Sequence, residues 1–526
     1  MTHLRIASLA VSMLFAGAAH AHGVTGLGKV NFPNSCSPAV QEKLQSAVAM
    51  LHSFYYSATK RAFEEVAQQD PGCAVLATWG YASILMNNPL AGAGASPKDA
   101  ADAQAAIEKA KQMGAKTQRE RDYLEAVAAY YENFSGRTER ERQVARAKAY
   151  EALAAKYPDD DEAQIFYAVY LAGTQLQSDQ TYSAWLKAAG ILEQQFKKHP
   201  QHPGAAHYLI HSYDAPPIAQ KGLAAARRYA EIAPDAPHAL HMPSHIFTRV
   251  GEWADSAATN LRSRDAALKS KEPDQAAHAL DYAAYAYLQL ARDTEARKMT
   301  EEVLGYTGFN PNIFTGSYAA AAMPARMALE RGDWRAAMQL EPREDKFVFT
   351  TAMTHFARAL GAARSGDAAS AQKDLERVAA FGEQLKEAKN AYWAGEVEVM
   401  RLTSVAWIAR AQGKNEEALA TMRRAADLED KSEKHIVTPA RLLPARELLG
   451  DMLLELKRPA DALKEYEASQ IREPNRLRGY YGAGLAASQA GEHAKAKQHF
   501  TKLVALAGNG EPRKEVTAAR NWLAGH

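Results

Sequence analysis

A 34-residue period in the C-terminal part constrains this chain more than any single motif. In LPARELLGDMLLELKRPADALKEYEASQIREP (443–474), Gly450, Ala462, Tyr466 and Pro474 stand at positions 8, 20, 24 and 32. In LRGYYGAGLAASQAGEHAKAKQHFTKLVALAG (477–508), Gly484, Ala496 and Phe500 repeat positions 8, 20 and 24. Small residues at two fixed places let paired helices approach closely, an aromatic fills the space between them, and proline ends the second helix. Apolar residues recur at helical spacing throughout, and alternating β-branched runs are absent. Such a chain builds stacked helix pairs in which each repeat buries its apolar face on its neighbours.

This pattern resembles the tetratricopeptide repeat (TPR). The resemblance weakens toward the N-terminus but extends back through MRLTSVAWIARAQGKNEEALATMRRA and MTHFARALGAARSGDAASAQKDLERV to AVAMLHSFYYSATKRAFEEVAQQDP. It implies an all-α, TPR-like α-solenoid, a right-handed superhelix of about a dozen antiparallel helix pairs spanning 40–526. A segment at 22–39 precedes it. Departures from the period mark insertions around 88–117, where LAGAGASP reads as a loop, and around 175–195 and 306–316.

The period also gives meaning to the histidines, of which the chain has 17. Six fall in HPGAAHYLIHSYD (202–214) and PHALHMPSHIFTRVGEW (237–253), and each stretch contains an H-x-x-x-H. Residues four apart share a helix face at about 5–6 Å, close enough for two imidazoles to hold one ion. With Pro158, Pro200 and Pro234 at position 32, repeats start at Asp161, Pro203 and Pro237, and another near Ala277. His207 and His211 take positions 5 and 9 of one repeat. His238, His241 and His245 take 2, 5 and 9 of the next, and His278, Asp281 and Tyr285 do so in the third. The resemblance implies that these positions line the concave groove. Position 8 must pack, so 2, 5 and 9 belong to the opposite face. Histidine fills six of these nine places across 203–296.

The leading expectation is therefore a transition-metal site built from His207, His211, His241 and His245. His238, His278 and Asp281 are candidates for a second ion or for orienting the ligands. Imidazole suits Zn, Cu or Fe and does not suit Mg or Ca. HYLIH lacks the glutamate of H-E-x-x-H, which disfavours a metalloprotease. The alternative is a metal-free groove that binds a peptide or protein, with Tyr285 and Arg249 among its hydrogen-bonding groups. His52, on the first helix, reads as core or surface. Pro243 lies inside the HMPSHIF helix and should bend it. MPARMALERGDW (323–334) repeats this segment with Arg326 in the place of His245.

The remaining features bound the setting. Residues 1–21 read as a secretory signal: Arg5 precedes an apolar run, and Ala19-His20-Ala21 offers cleavage after Ala21. The expected location is periplasmic or secreted. No later run reaches the roughly 20 apolar residues of a membrane span. His22 would then be the mature first residue, able to chelate copper only with a second histidine. Cys36 and Cys73, the only cysteines, are expected to form a disulfide in an oxidising compartment. Lys+Arg of 63 against Asp+Glu of 61 gives almost no net charge, and nothing in it suggests a nucleic-acid partner. GVTGLGKV (23–30) lacks the Ser or Thr of a phosphate loop, and there is no haem signature.

Overall fold

Among the described residues, 26–92 and 94–526 of this computed structural model, every regular element is helical. Twelve antiparallel pairs run from Gln41–His52 with Tyr56–Gln69 to Leu477–Gln489 with His493–Ala507, and Lys514–Gly525 caps the end. Each helix packs chiefly on its sequence neighbours, as stacked repeats must. The fold is an all-α, TPR-like solenoid. The repeat positions do the packing that the period implies. A Cβ on Gly450 would lie 2.7 Å from the Tyr466 ring, and one on Gly484 would lie 2.5 Å from Phe500. No helix among the described residues is long and apolar enough to cross a membrane.

Two of the stretches expected as insertions contain helices of the array. Pro97–Met113 lies within 88–117, and its N-cap Ser96 accepts from the Asp99 N–H. Ser183–Lys198 occupies much of 175–195 and packs on Asp161–Ala172. Both are second helices of ordinary pairs whose connecting loops are long, and loop length alone disturbed the period. Pro243 divides its helix into Pro237–His241 and Pro243–Val250, because it has no N–H to continue the ladder. Pro324, in the matching repeat, lies inside the continuous helix Thr315–Glu330.

Cys36 and Cys73 are disulfide-bonded, with Cα atoms 4.9 Å apart. The bond ties the N-terminal segment to the turn after the second helix. Residues 1–21, expected to be a signal, and His22 lie outside the described residues.

Two features close the solenoid on itself. The C-terminal repeats pack on the histidine-bearing ones: Trp253 Nε1 donates to Asn475 O at 2.6 Å, and Leu477 N donates to Gln289 Oε1 at 3.0 Å. Residues 430–444 leave the helical array and run, buried, across the concave face. Pro439 and Pro444 deny this segment a helix. Its backbone is instead held by side chains of the groove. Tyr282 Oη donates to Thr438 O at 3.0 Å, and Arg326 Nη2 donates to Ala440 O at 3.3 Å. Glu433 N donates to Gln177 O at 2.8 Å.

Candidate metal centre

The repeat geometry gathers six histidines into one buried cluster. His207 and His211 come from the helix Pro203–Ser212, and His238 and His241 from Pro237–His241. His245 lies one turn further on, across the Pro243 break, and His278 on Pro273–Gln289. Two triads result, His207/His211/His238 and His241/His245/His278. In each, one donor atom per residue lies within 4.8 Å of the others. The triads adjoin: ring centroids of His211 and His245 are 5.5 Å apart, and those of His238 and His241 are 5.9 Å apart. The six are at most 8% exposed, because 430–444 and the neighbouring repeats cover what would be an open groove.

Hydrogen bonds fix which nitrogen three of the rings offer. Asn260 Nδ2 donates to Ser256 O at 2.7 Å, which turns its Oδ1 toward His241 Nδ1, 2.6 Å away. His241 Nδ1 therefore carries a proton and Nε2 carries a lone pair. His245 Nδ1 donates to Asp214 Oδ2 at 2.9 Å, which leaves its Nε2 bare as well. These two Nε2 atoms face each other at 3.0 Å. Two lone pairs so placed repel each other unless a cation lies between them. In the other triad, His207 Nδ1 donates to His52 O at 2.6 Å, and its buried Nε2 has no hydrogen-bond partner. Both nitrogens of His211 are likewise buried without one, and His238 has only the Gln275 side chain to pair with. Unpaired polar atoms at this burial cost about 1–3 kcal/mol each, so the cluster is expensive as an all-protein arrangement.

The electrostatics keep the rings in their ligand form. Burial, reinforced by neighbouring imidazoles, holds His207, His211, His238, His241 and His278 well below the ordinary histidine range. Burial lowers His245 too, opposed by Asp214. Among the described residues, Asp214 is the one buried carboxylate hydrogen-bonded to the cluster. Burial works against its charge, but Lys434, Arg249 and His245 hold it below the ordinary range. Arg249 Nε donates to Asp214 Oδ1 at 2.7 Å, and Lys434 Nζ lies 3.5 Å from Oδ2. Burial pulls Lys434 down to about 8, with Asp214 opposing.

Other expected residues take different places. Asp281 does not join the cluster; it pairs with Arg326, the residue that replaces histidine in the later repeat. Tyr285 is buried against the guanidinium of Arg476, 5.7 Å from its ring, and away from the imidazoles. Arg249 supports Asp214 and lies 3.6 Å from Glu433 of the crossing segment, so it braces the site instead of presenting itself to a ligand. Asp214, Asn260, Tyr282 and Lys434 belong to the site without having been singled out. Asp214 lies three residues after His211 in HSYD, within reach of a motif reading. Asn260 and Lys434 have no local signal.

A third group, His52/Glu162/His202, also places three donors within 4.8 Å of one another. It is chemically different. His202 caps the helix Pro203–Ser212, its Nδ1 accepting from Ala205 N at 3.2 Å, so Nε2 carries the proton and donates to Glu162 Oε1 at 2.8 Å. His52 Nε2 lies 2.8 Å from Glu162 Oε2, and its Nδ1 lies 3.1 Å from the Tyr208 hydroxyl. Burial works against the Glu162 charge, but the two imidazoles hold this carboxylate below its ordinary range. Every nitrogen is satisfied, and the group needs no ion.

A cavity of about 120 Å³ reaches His211, His238, His245 and His278. Phe54, Tyr56, Phe314 and Val437 form its apolar walls.

No protein-family model matches the chain, and no curated protein matches it. Solved structures of helical proteins do. The Cut9–Hcn1 hetero-tetramer of the APC/C aligns at 13% identity over 91% of this chain and 95% of that one, with a TM-score of 0.30. An IFIT1 monomeric mutant with Gppp-AAAA aligns at 13% identity over 83% and 90%, with a TM-score of 0.37. The human IFIT1 dimer with PPP-AAAA aligns at 13% over 78% and 88%, also with a TM-score of 0.37. At these values the likeness carries no argument about this chain, whose fold rests on its own helix pairing.

Proposed function

We propose that this protein is an exported helical solenoid that binds a transition metal, Zn, Cu or Fe, in its six-histidine cluster. One observation carries the reading. His241 and His245 each have Nδ1 committed as a donor, and their bare Nε2 atoms lie 3.0 Å apart in a buried site. An ion bound at about 2.0–2.1 Å from each nitrogen relieves that repulsion. Asp214 and Asn260 hold the rings in the required tautomer, as outer partners of metal-bound histidines do. Whatever the metal supplies, storage or chemistry, this chain's part is to keep the rings neutral, oriented and away from bulk water. Export is supported by the signal-like N-terminus and by the disulfide, which belongs to an oxidising compartment.

Elemental analysis of the protein purified from its native compartment, beside a His207→Ala/His211→Ala double variant, tests this. Stoichiometric metal that falls in the variant is expected; equal trace metal in both sinks the proposal. N-terminal sequencing of the purified chain should begin at His22, and a retained Met1 would remove the export reading.

A second reading has its own support. The concave face already holds an irregular segment, 430–444, through its backbone carbonyls. A peptide from a partner protein could be held in the same manner if that segment moved aside.

A further inference from the structure

We propose that the cluster holds two ions, one per triad, and that the pair takes a small exogenous anion, hydroxide in the resting protein, from the adjoining cavity. The proposal rests on the metal-binding reading above and adds the number of ions and the class of ligand.

The count follows from geometry. Centroid distances across the triads, 5.5 Å for His211–His245 and 5.9 Å for His238–His241, fall within the spread inside them. There they are 4.9, 5.0 and 6.4 Å in the first triad and 4.9, 4.2 and 6.5 Å in the second. Yet the donor atoms sort into two sets of three, each compact enough for one ion, while no single ion reaches six donors drawn from both. A lone ion in the second triad would also leave His207 Nε2 and the His211 nitrogens buried without partners.

The anion follows from charge. All six donors are neutral imidazoles, so each triad leaves the full charge of its ion in a buried site. Asp214 cannot neutralise two ions, because Arg249 and Lys434 already lie on it. Asp281 is taken by Arg326. Three protein donors also leave a coordination position open. That position has space to face: His211 and His238 of one triad and His245 and His278 of the other line the same cavity of about 120 Å³. That is room enough for water or a small anion. A water bound there releases a proton to solvent through the cavity and becomes the missing anion, since metal binding lowers its pKa toward about 7.

The full-length chain, stripped with a chelator and titrated with Cu(II), tests this by stoichiometry, electron paramagnetic resonance and azide addition. Expected are two equivalents bound, a spin count well below two with a half-field signal from coupled ions, and one azide charge-transfer band saturating at one azide per pair. His278→Gln should bind one equivalent and show a full single-ion signal. His238→Gln should do the same from the other side, and circular dichroism of each variant checks that it folds. One equivalent in the wild type, or two with a full uncoupled signal, overturns the pair while leaving metal binding intact. Two coupled ions that ignore azide overturn the open position. No bound copper or other transition metal at all removes the underlying metal reading instead.

Discussion

The molecule buries histidine in two ways, a few ångströms apart. His52 and His202 flank one carboxylate and spend every ring nitrogen on hydrogen bonds. The six-histidine cluster has one touching carboxylate, and that carboxylate lies outside the rings, on the far nitrogen of His245. The two groups are also joined, because the backbone carbonyl of His52 orients His207. The difference teaches how a buried histidine group is read: proximity of donor atoms is common to both, and unspent lone pairs distinguish the site from the scaffold.

The sharpest way to break this distinction is to remove ligands from one group and the carboxylate from the other. His241→Ala/His245→Ala should lose the ion of that triad entirely, whereas Glu162→Gln should keep full metal content by elemental analysis. Metal loss in Glu162→Gln would erase the contrast.

Acid should separate the groups next. The unfolded imidazoles take up protons near 6.5, while five rings of the cluster stay neutral in the metal-free fold until well below that. The unfolded state then binds more protons, so stability falls as pH falls from about 6.5, by roughly 1 kcal/mol per ring over the first unit. Glu162 has the depressed carboxylate pattern: its contribution is present above about 4.5, the unfolded value, and is lost as pH drops toward its folded one. Denaturant melts of metal-free protein should therefore weaken first between pH 6.5 and 5. The metal-loaded protein should resist until protons displace the ion. A metal-free melt that stays flat from pH 7 to 5 contradicts the buried neutral rings.

Smaller effects sharpen the roles. Glu162→Ala leaves two imidazoles and a helix cap without their shared acceptor and should cost about 3–5 kcal/mol in urea melts, the usual penalty for breaking a buried pair. Asp214→Asn keeps the shape but weakens the hold on the His245 tautomer. Metal affinity should fall about 10–100-fold, read by competition with a chromogenic chelator. An unchanged affinity in Asp214→Asn would reduce Asp214 to a structural ion-pair partner of Arg249.

The fold was legible because packing repeats. Gly450 against Tyr466 and Gly484 against Phe500 are local facts of a 34-residue unit, and the same spacing carried back through the chain placed the helix starts at Asp161, Pro203 and Pro237. It failed where loops lengthened, around Pro97–Met113 and Ser183–Lys198. Five of the site histidines were legible from the two H-x-x-x-H pairs and His238, and His278 from the repeat frame. Asp281 occupied an equivalent position and still went elsewhere, because the facing residue on the next repeat is Arg326. Nothing near Asp281 in the chain announces a partner 45 residues away.

The sequence by itself determined the helices, their pairing and which residues share the inner face, since these depend on spacing within one repeat and its neighbours. Only the tertiary structure decided that this face is closed. Residues 430–444 cross it because two prolines keep them out of the array, and the C-terminal repeats return onto Trp253 and Gln289. That closure turned a groove into a buried chamber, where an imidazole stays neutral and a lone pair without a partner is costly. Burial of that kind depends on parts of the chain far apart in sequence, and no local period encodes it.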